Sequence, residues 1–270
     1  MPFVPRTRPP YKNVPRTLGP LLYHLITGAP TSLSATAGRL FDGMVPPPQL
    51  SGEELVPRAG PFLLVFNHYE NRRVPAWWGP LVMARAVSAQ RQAAPRELHL
   101  VMTREWWYPA GSFGRAFKQP VTRLVFARLA RLFGLALVPP VITGDLTRGE
   151  GVVGVRQALA LTRGPDPQLV AVAPEGHTGP NGALKEPPPG AGLFLLLLTH
   201  NAVPCLPAGW YADERQVLTV RFGRPFRLEA PRSQDREARD RAAATQAMTA
   251  IGRLLPSRLW GAYSGQLAGT

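Results

Sequence analysis

The sequence predicts an α/β fold: a mostly parallel sheet flanked by helices. Two observations lead there. From residue 61 onward, short apolar runs alternate with longer segments of helical periodicity. The short runs are apolar at nearly every position instead of every second one, the pattern of strands covered on both faces. A chain of 270 residues with 45% hydrophobic and 18% charged residues is long enough to bury such a core. Its one cysteine, Cys205, excludes a disulfide framework and a cysteine-based zinc site.

Residues 1–16 are rich in Pro and Arg and are expected to be extended. Leu18, Leu21, Leu22, Leu25 and Ile26 then recur at i, i+3, i+4, i+7 and i+8, one apolar face of a short helix. A second helix is expected over 32–41, ahead of a turn-rich stretch at 44–54. Strands are expected at 61–66, 98–102, 134–138, 168–173, 203–210 and 217–222. Helices are expected at 76–88, 113–132, 151–161, 192–201 and 236–255. This divides the chain into a basic N-terminal segment with helices, residues 1–50, packed on an α/β domain over 51–270. The first residues are basic but broken by proline, without the apolar centre and small-residue cleavage site of a secretory signal. The longest apolar run, 190–198, falls short of the ~20 residues a spanning helix needs. The expectation is therefore a cytoplasmic protein, soluble or peripheral at a membrane face.

In open parallel sheets, functional groups collect where strands end. Two such junctions carry a His and a Glu each. The first, Asn67-His68-Tyr69-Glu70-Asn71-Arg72-Arg73, follows the first strand of the domain. The second, Pro174-Glu175-Gly176-His177-Thr178-Gly179, follows the fourth. Parallel strands would put both at one end of the sheet. Imidazole beside a carboxylate is the minimal equipment of a general base: the ring takes the proton, and the carboxylate fixes the tautomer. On spacing alone, a solvated loop histidine and an ordinary strand-to-loop turn remain the alternatives.

The chain resembles the glycerophospholipid acyltransferase superfamily, the PlsC-like proteins of the lysophosphatidic-acid acyltransferase type. Asn67-His68 after an apolar strand matches the start of that family's Asn-His-x4-Asp block, and Pro174-Glu175-Gly176 matches its Pro-Glu-Gly-Thr-Arg block. Pro187-Pro188-Pro189-Gly190 takes the place of Phe-Lys-x-Gly, and Val203-Pro204 matches the last block. The resemblance spans roughly 55–225. There are departures. The Asp position is Arg73, the Thr and Arg of the second signature fall on His177 and Thr178, and 134–140, where an arginine usually contacts the acceptor phosphate, has none.

The resemblance implies an acyltransferase of lipid biosynthesis. It would move a fatty acyl chain from acyl-CoA or acyl-carrier protein, used as donor substrates, to a lysophospholipid or related lipid hydroxyl, with no cofactor or metal. His68 would be the base, with Glu70 as substitute for the missing Asp or, failing that, Glu175. Glu175 and Gly176 would shape the acceptor site. Asn67, His177, Arg72 and Arg73 would contribute to substrate binding, the two arginines by neutralising phosphate. Two alternatives follow from the departures: a lipid-binding pseudoenzyme, or a transferase for an acceptor without phosphate.

Basic residues outnumber acidic ones 31 to 17, a net charge of +14. Only Lys12, Lys118 and Lys185 are lysines, an arginine bias that a GC-rich genome also produces, so placement carries more meaning than the total. From 106 to 144 there is no Asp or Glu, while Arg115, Lys118, Arg123, Arg128 and Arg131 lie among Trp106, Trp107, Phe113 and Phe117. Residues 1–41 also lack acids. A basic helix entered through aromatics is the sequence form of binding to an anionic membrane surface. No helix-turn-helix, zinc-finger spacing or ribonucleoprotein motif points to nucleic acid.

Overall fold

A computed structural model describes residues 14–42, 44, 46–71, 74–106, 108, 111–138, 150–200, 203–230 and 235–269. Arg72 and Arg73, both expected at the site, lie outside these described residues, as do the basic residues of 1–13.

The expected α/β architecture is present. Among the described residues, seven strands, β1 (Gln49–Ser51), β2 (Leu63–Phe66), β3 (Leu98–Thr103), β4 (Ala136–Val138), β5 (Leu169–Val172), β6 (Cys205–Ala212) and β7 (Leu218–Phe222), form one sheet. Its order is β1-β7-β6-β2-β5-β3-β4. Every pairing is parallel except β6 with β7. The central strands β2, β5 and β6 are buried at every residue, which is why they read as unbroken apolar runs.

Among the described residues, eight helices accompany the sheet: α1 (Val14–Thr27), α2 (Leu33–Phe41), α3 (Trp78–Gln90), α4 (Gln119–Phe133), α5 (Glu150–Arg163), α6 (Ala191–Leu198), α7 (Arg236–Gly252) and α8 (Ser264–Leu267). They cover both faces. A Cβ on Gly79 of α3 would lie 2.1 Å from the Trp210 ring, and a Cβ on its strand neighbour Gly209 would lie 2.8 Å from Leu254, just beyond α7. Successive strand residues point to opposite faces, so α3 and the end of α7 lie on opposite sides of β6. On the α7 side, Asp240 caps α6 by accepting the N–H groups of Gly190 (2.6 Å) and Leu193 (2.9 Å).

Three differences from the sequence reading have physical reasons. The turn-rich stretch contributes β1, a three-residue edge strand held by parallel pairing with β7. The helix expected from 113 begins with a π-helical turn, Gly114–Lys118, before α4. The apolar face expected on α1 is only partly covered, with Leu22 and Ile26 56% and 67% exposed. The end of the helix expected at 192–201 falls partly outside the described residues.

The topology prepares a crevice. From β2 the chain crosses past β5 to β3, whereas from β5 it crosses past β2 to β6. The loops leaving these adjacent strands therefore diverge above their carboxyl ends, the position where open α/β sheets bind ligands.

Candidate active site

Asn67 and His68 are the first residues beyond β2, and they do different work. Asn67 is fully buried. Its Nδ2 donates to the Trp210 carbonyl (2.9 Å) and its Oδ1 accepts the Trp210 N–H (2.8 Å). The Trp210 indole N–H in turn donates to the Asn67 carbonyl (2.7 Å). The side chain expected to meet substrate instead docks the end of β2 onto β6 and presents His68 above the sheet.

His68 is partly buried. Its backbone N–H donates to Glu175 Oε2 at 2.7 Å. Glu175 Oε1 accepts the Lys185 backbone N–H at 2.9 Å. One fully buried carboxylate thus joins the loops after β2 and β5 to the segment before α6. Gly176, at φ 71°, turns the chain immediately after Glu175 and leaves the carboxylate pointing inward. The expected juxtaposition of His68 and Glu175 at one end of the sheet is present, made through the His68 backbone and not its ring.

The ring itself meets Thr178. His68 Nδ1 lies 2.7 Å from Thr178 Oγ1. Thr178 therefore stands where a carboxylate from Glu70 or Glu175 was expected. Glu70 is exposed, without a hydrogen bond to the imidazole, and lines the neighbouring cleft. The other ring nitrogen, Nε2, has no hydrogen-bond partner among the described residues.

An open cleft of about 580 Å³ lies beside this group, lined by Glu70, Asn71, Thr178, Gly179, Asn181 and Gly182. Asn71 Nδ2 donates to the Tyr69 hydroxyl (3.0 Å) and to Gln216 Oε1 (3.3 Å) on the β6–β7 turn. Asn181 and Gln216 are the two non-glycine residues in left-handed backbone conformation among the described residues, and both sit at this rim. Gly182 is required: a Cβ there would lie 2.5 Å from the Tyr69 ring, at φ 77°.

The electrostatics follow from burial and neighbours. Burial, then His177 and Lys185, pull the His68 imidazole down to about 4. Burial pushes the Glu175 carboxyl up to about 7, against the downward pull of the Lys185 and His68 N–H groups and of the Lys185 cation. Burial lowers His177 and Lys185 as well, and Lys185 lowers His177 further. Lys185 Nζ lies against the His177 ring, 3.2 Å from Nδ1 and closer to Nε2. His68 is thus a neutral base at pH 7 with a cation nearby, above a buried carboxylate. No group of three His, Cys, Asp or Glu able to hold a metal occurs among the described residues.

Sequence reasoning missed Thr178 and Lys185 as members of this group. Both lie in or just after the Pro-Glu-Gly block, yet nothing in their spacing says that the loop folds back to the imidazole. Asn71 and Gln216 at the rim carried no signal beyond polarity.

No protein-family model matches the chain, and no curated protein matches it in sequence. Among solved structures, one similar to it is the 1-acyl-sn-glycerophosphate acyltransferase PlsC from Thermotoga maritima. The two share 14% identity and a TM-score of 0.47, over 78% of this chain and 73% of that one.

Proposed function

We propose that this chain is an acyltransferase that moves a fatty acyl group from a thioester donor, acyl-CoA or acyl-carrier protein, to a lysophospholipid or related lipid hydroxyl. The observation that carries this reading is the neutral His68 at the mouth of β2, with Nδ1 occupied and Nε2 without a hydrogen-bond partner among the described residues. Nε2 takes the acceptor hydroxyl proton as the oxygen attacks the thioester carbonyl carbon. The tetrahedral intermediate collapses, the carbon–sulfur bond breaks, and the departing thiolate takes the proton back from the imidazolium. The sequence blocks around His68, Glu175 and Val203 support the reaction class.

A base held near 4 has little thermodynamic pull on a hydroxyl proton. Two of the causes are His177 and Lys185. An anionic acceptor or donor seated against Lys185 screens them and raises the basicity of His68 when substrate is in place. Glu175 acts from beneath, holding the His68 and Lys185 backbones in register.

The surface fits a lipid substrate. Phe113 and Phe117 are 68% and 60% exposed, Val121 and Leu124 of α4 are exposed, and Leu22, Tyr23 and Ile26 of α1 extend the patch. Arg128 Nη1 donates to the Leu25 carbonyl (3.0 Å), tying α4 to α1. Arg104, Glu105 and Trp106 follow β3 directly, so they lie at the same end of the sheet as His68. The acid-free stretch 106–144 has an acidic neighbour just before it. Arg123 pairs with buried Glu105 (2.6 Å), leaving Arg115, Lys118, Arg128 and Arg131 without an ion pair among the described residues. Our reading places the protein peripherally on an anionic leaflet at the cytoplasmic face. No helix among the described residues is long and apolar enough to cross a membrane.

A second reading, a lipid-binding pseudoenzyme, is favoured by the hydroxyl that occupies Nδ1 in place of a carboxylate. Acyl transfer followed by mass spectrometry across acyl-CoA and lysophospholipid panels separates the two. Turnover that falls about 10²–10⁴-fold in His68→Ala supports the transferase. Saturable acyl-CoA and lipid binding with no turnover under any pairing supports the pseudoenzyme. Equal turnover in wild type and His68→Ala removes His68 from the reaction.

A further inference from the structure

We infer that Thr178 is the positioning residue of His68: its hydroxyl oxygen accepts the Nδ1–H, fixes the ring in the Nδ1-protonated tautomer and leaves the Nε2 lone pair as the base. The inference rests on the proposed role of His68, and its test is chosen to read the tautomer without turnover.

The geometry has three parts. Thr178 Oγ1 is 2.7 Å from Nδ1, within the range of a hydrogen bond. No carboxylate among the described residues competes for that nitrogen, because Glu175 is occupied by two backbone N–H groups and Glu70 is exposed on the cleft wall. Nε2 has no hydrogen-bond partner among the described residues. A neutral imidazole has one donor and one acceptor nitrogen, and the hydrogen bond at one fixes the role of the other.

A neutral hydroxyl orients the ring, but it stabilises the imidazolium less than a carboxylate does. That matches a histidine whose burial is not compensated by an anion at its ring. Thr178 is held for the task by its loop. Gly176 reverses the chain before it, and a Cβ on Gly179 would lie 2.2 Å from the Ala183 carbonyl, so the backbone packs tightly after it.

The test uses the full chain with ¹⁵N-labelled histidine at pH 7. In wild type, His68 is expected to show a protonated Nδ1 and an unprotonated Nε2. Thr178→Val keeps the shape and removes the acceptor. It should shift the tautomer populations towards Nε2–H and lower kcat about tenfold with KM little changed, the loss of one hydrogen bond. Thr178→Ser should restore both. The proposal is overturned if wild-type His68 carries its proton on Nε2, or if Thr178→Val leaves the ring spectrum unchanged. It is also overturned if an acyl group is trapped on Thr178, which would make that hydroxyl a nucleophile. If the tautomer shifts as expected while no variant, wild type included, turns over, the positioning role stands and the transferase reading fails.

Discussion

The mouth of β2 and β5 and the outer surface of α1 and α4 use opposite means to present function. At the mouth, polar side chains are buried and fully engaged: Asn67 grips Trp210, and Glu175 spans three segments. On the outer surface, apolar side chains are exposed, with Leu124 62% and Ile26 67% exposed, and Arg115, Lys118, Arg128 and Arg131 have no ion pair among the described residues. The first arrangement stabilises the fold and holds one imidazole in place. The second adds little to folding, since apolar area facing water in both the folded and unfolded chain contributes almost nothing. The difference teaches where each kind of mutation should register: stability at the mouth, association at the surface.

Asn67→Ala should produce the largest loss of stability. It leaves the Trp210 N–H and C=O unpaired in the core. At about 1–3 kcal/mol for each unsatisfied group, unfolding in urea should show a loss of about 2–4 kcal/mol. A loss under about 0.5 kcal/mol would mean that the dock is dispensable and would break the comparison at its strongest point.

The Glu175 and His68 pair should give a pH signature. Glu175 is raised to about 7, so its contribution to stability is full below its ordinary range and is lost as pH rises through 7. His68 is depressed to about 4, so its contribution is full above its ordinary 6.5 and is lost as pH falls through 4. Between about 4.5 and 6.5 the two slopes oppose one another, each limited to about 1.4 kcal/mol per pH unit. Wild-type stability should be nearly flat there. Glu175→Gln should be less stable throughout, and should lose about a further 2 kcal/mol on acidification across that window, because only the histidine then titrates. His68→Gln should slope the other way. Parallel curves for all three proteins would show that neither group is shifted by its surroundings.

How much of this was legible in the sequence depends on what holds each piece. β2, β5 and β6 are buried on both faces, and burial on both faces writes itself as an apolar run. β1 has three residues at a sheet edge amid Pro and Gly, and it exists through pairing with β7, a contact that no local pattern records. In the site, parallel strands were enough to bring His68 and Glu175 together. The atoms that meet were not legible. Gly176 turns the Glu175 carboxylate inward to a backbone N–H, and the returning loop delivers Thr178, not an acid, to the ring. Those outcomes are set by loop geometry rather than spacing.

The smallest effect on folding is expected at the outer surface, where the comparison can be sharpened by its contrast with the mouth. Leu124→Gln and Phe117→Ser replace side chains that are about 60% exposed, so each should change unfolding stability by no more than about 0.5 kcal/mol. Their effect should appear in co-sedimentation with vesicles containing phosphatidylserine, because the apolar contact with the acyl boundary is lost. Lys118→Gln tests the charge separately. One cation near an anionic leaflet contributes about 1 kcal/mol, so vesicle affinity should fall about fivefold, and raising the salt should shrink the difference as screening shortens the reach of the charge. Binding that is insensitive to both salt and lipid charge would remove the electrostatic half of the proposal. If instead Leu124→Gln unfolds the protein as readily as Asn67→Ala, α4 is packed by something in the native assembly, and the exposed surface is not a membrane face.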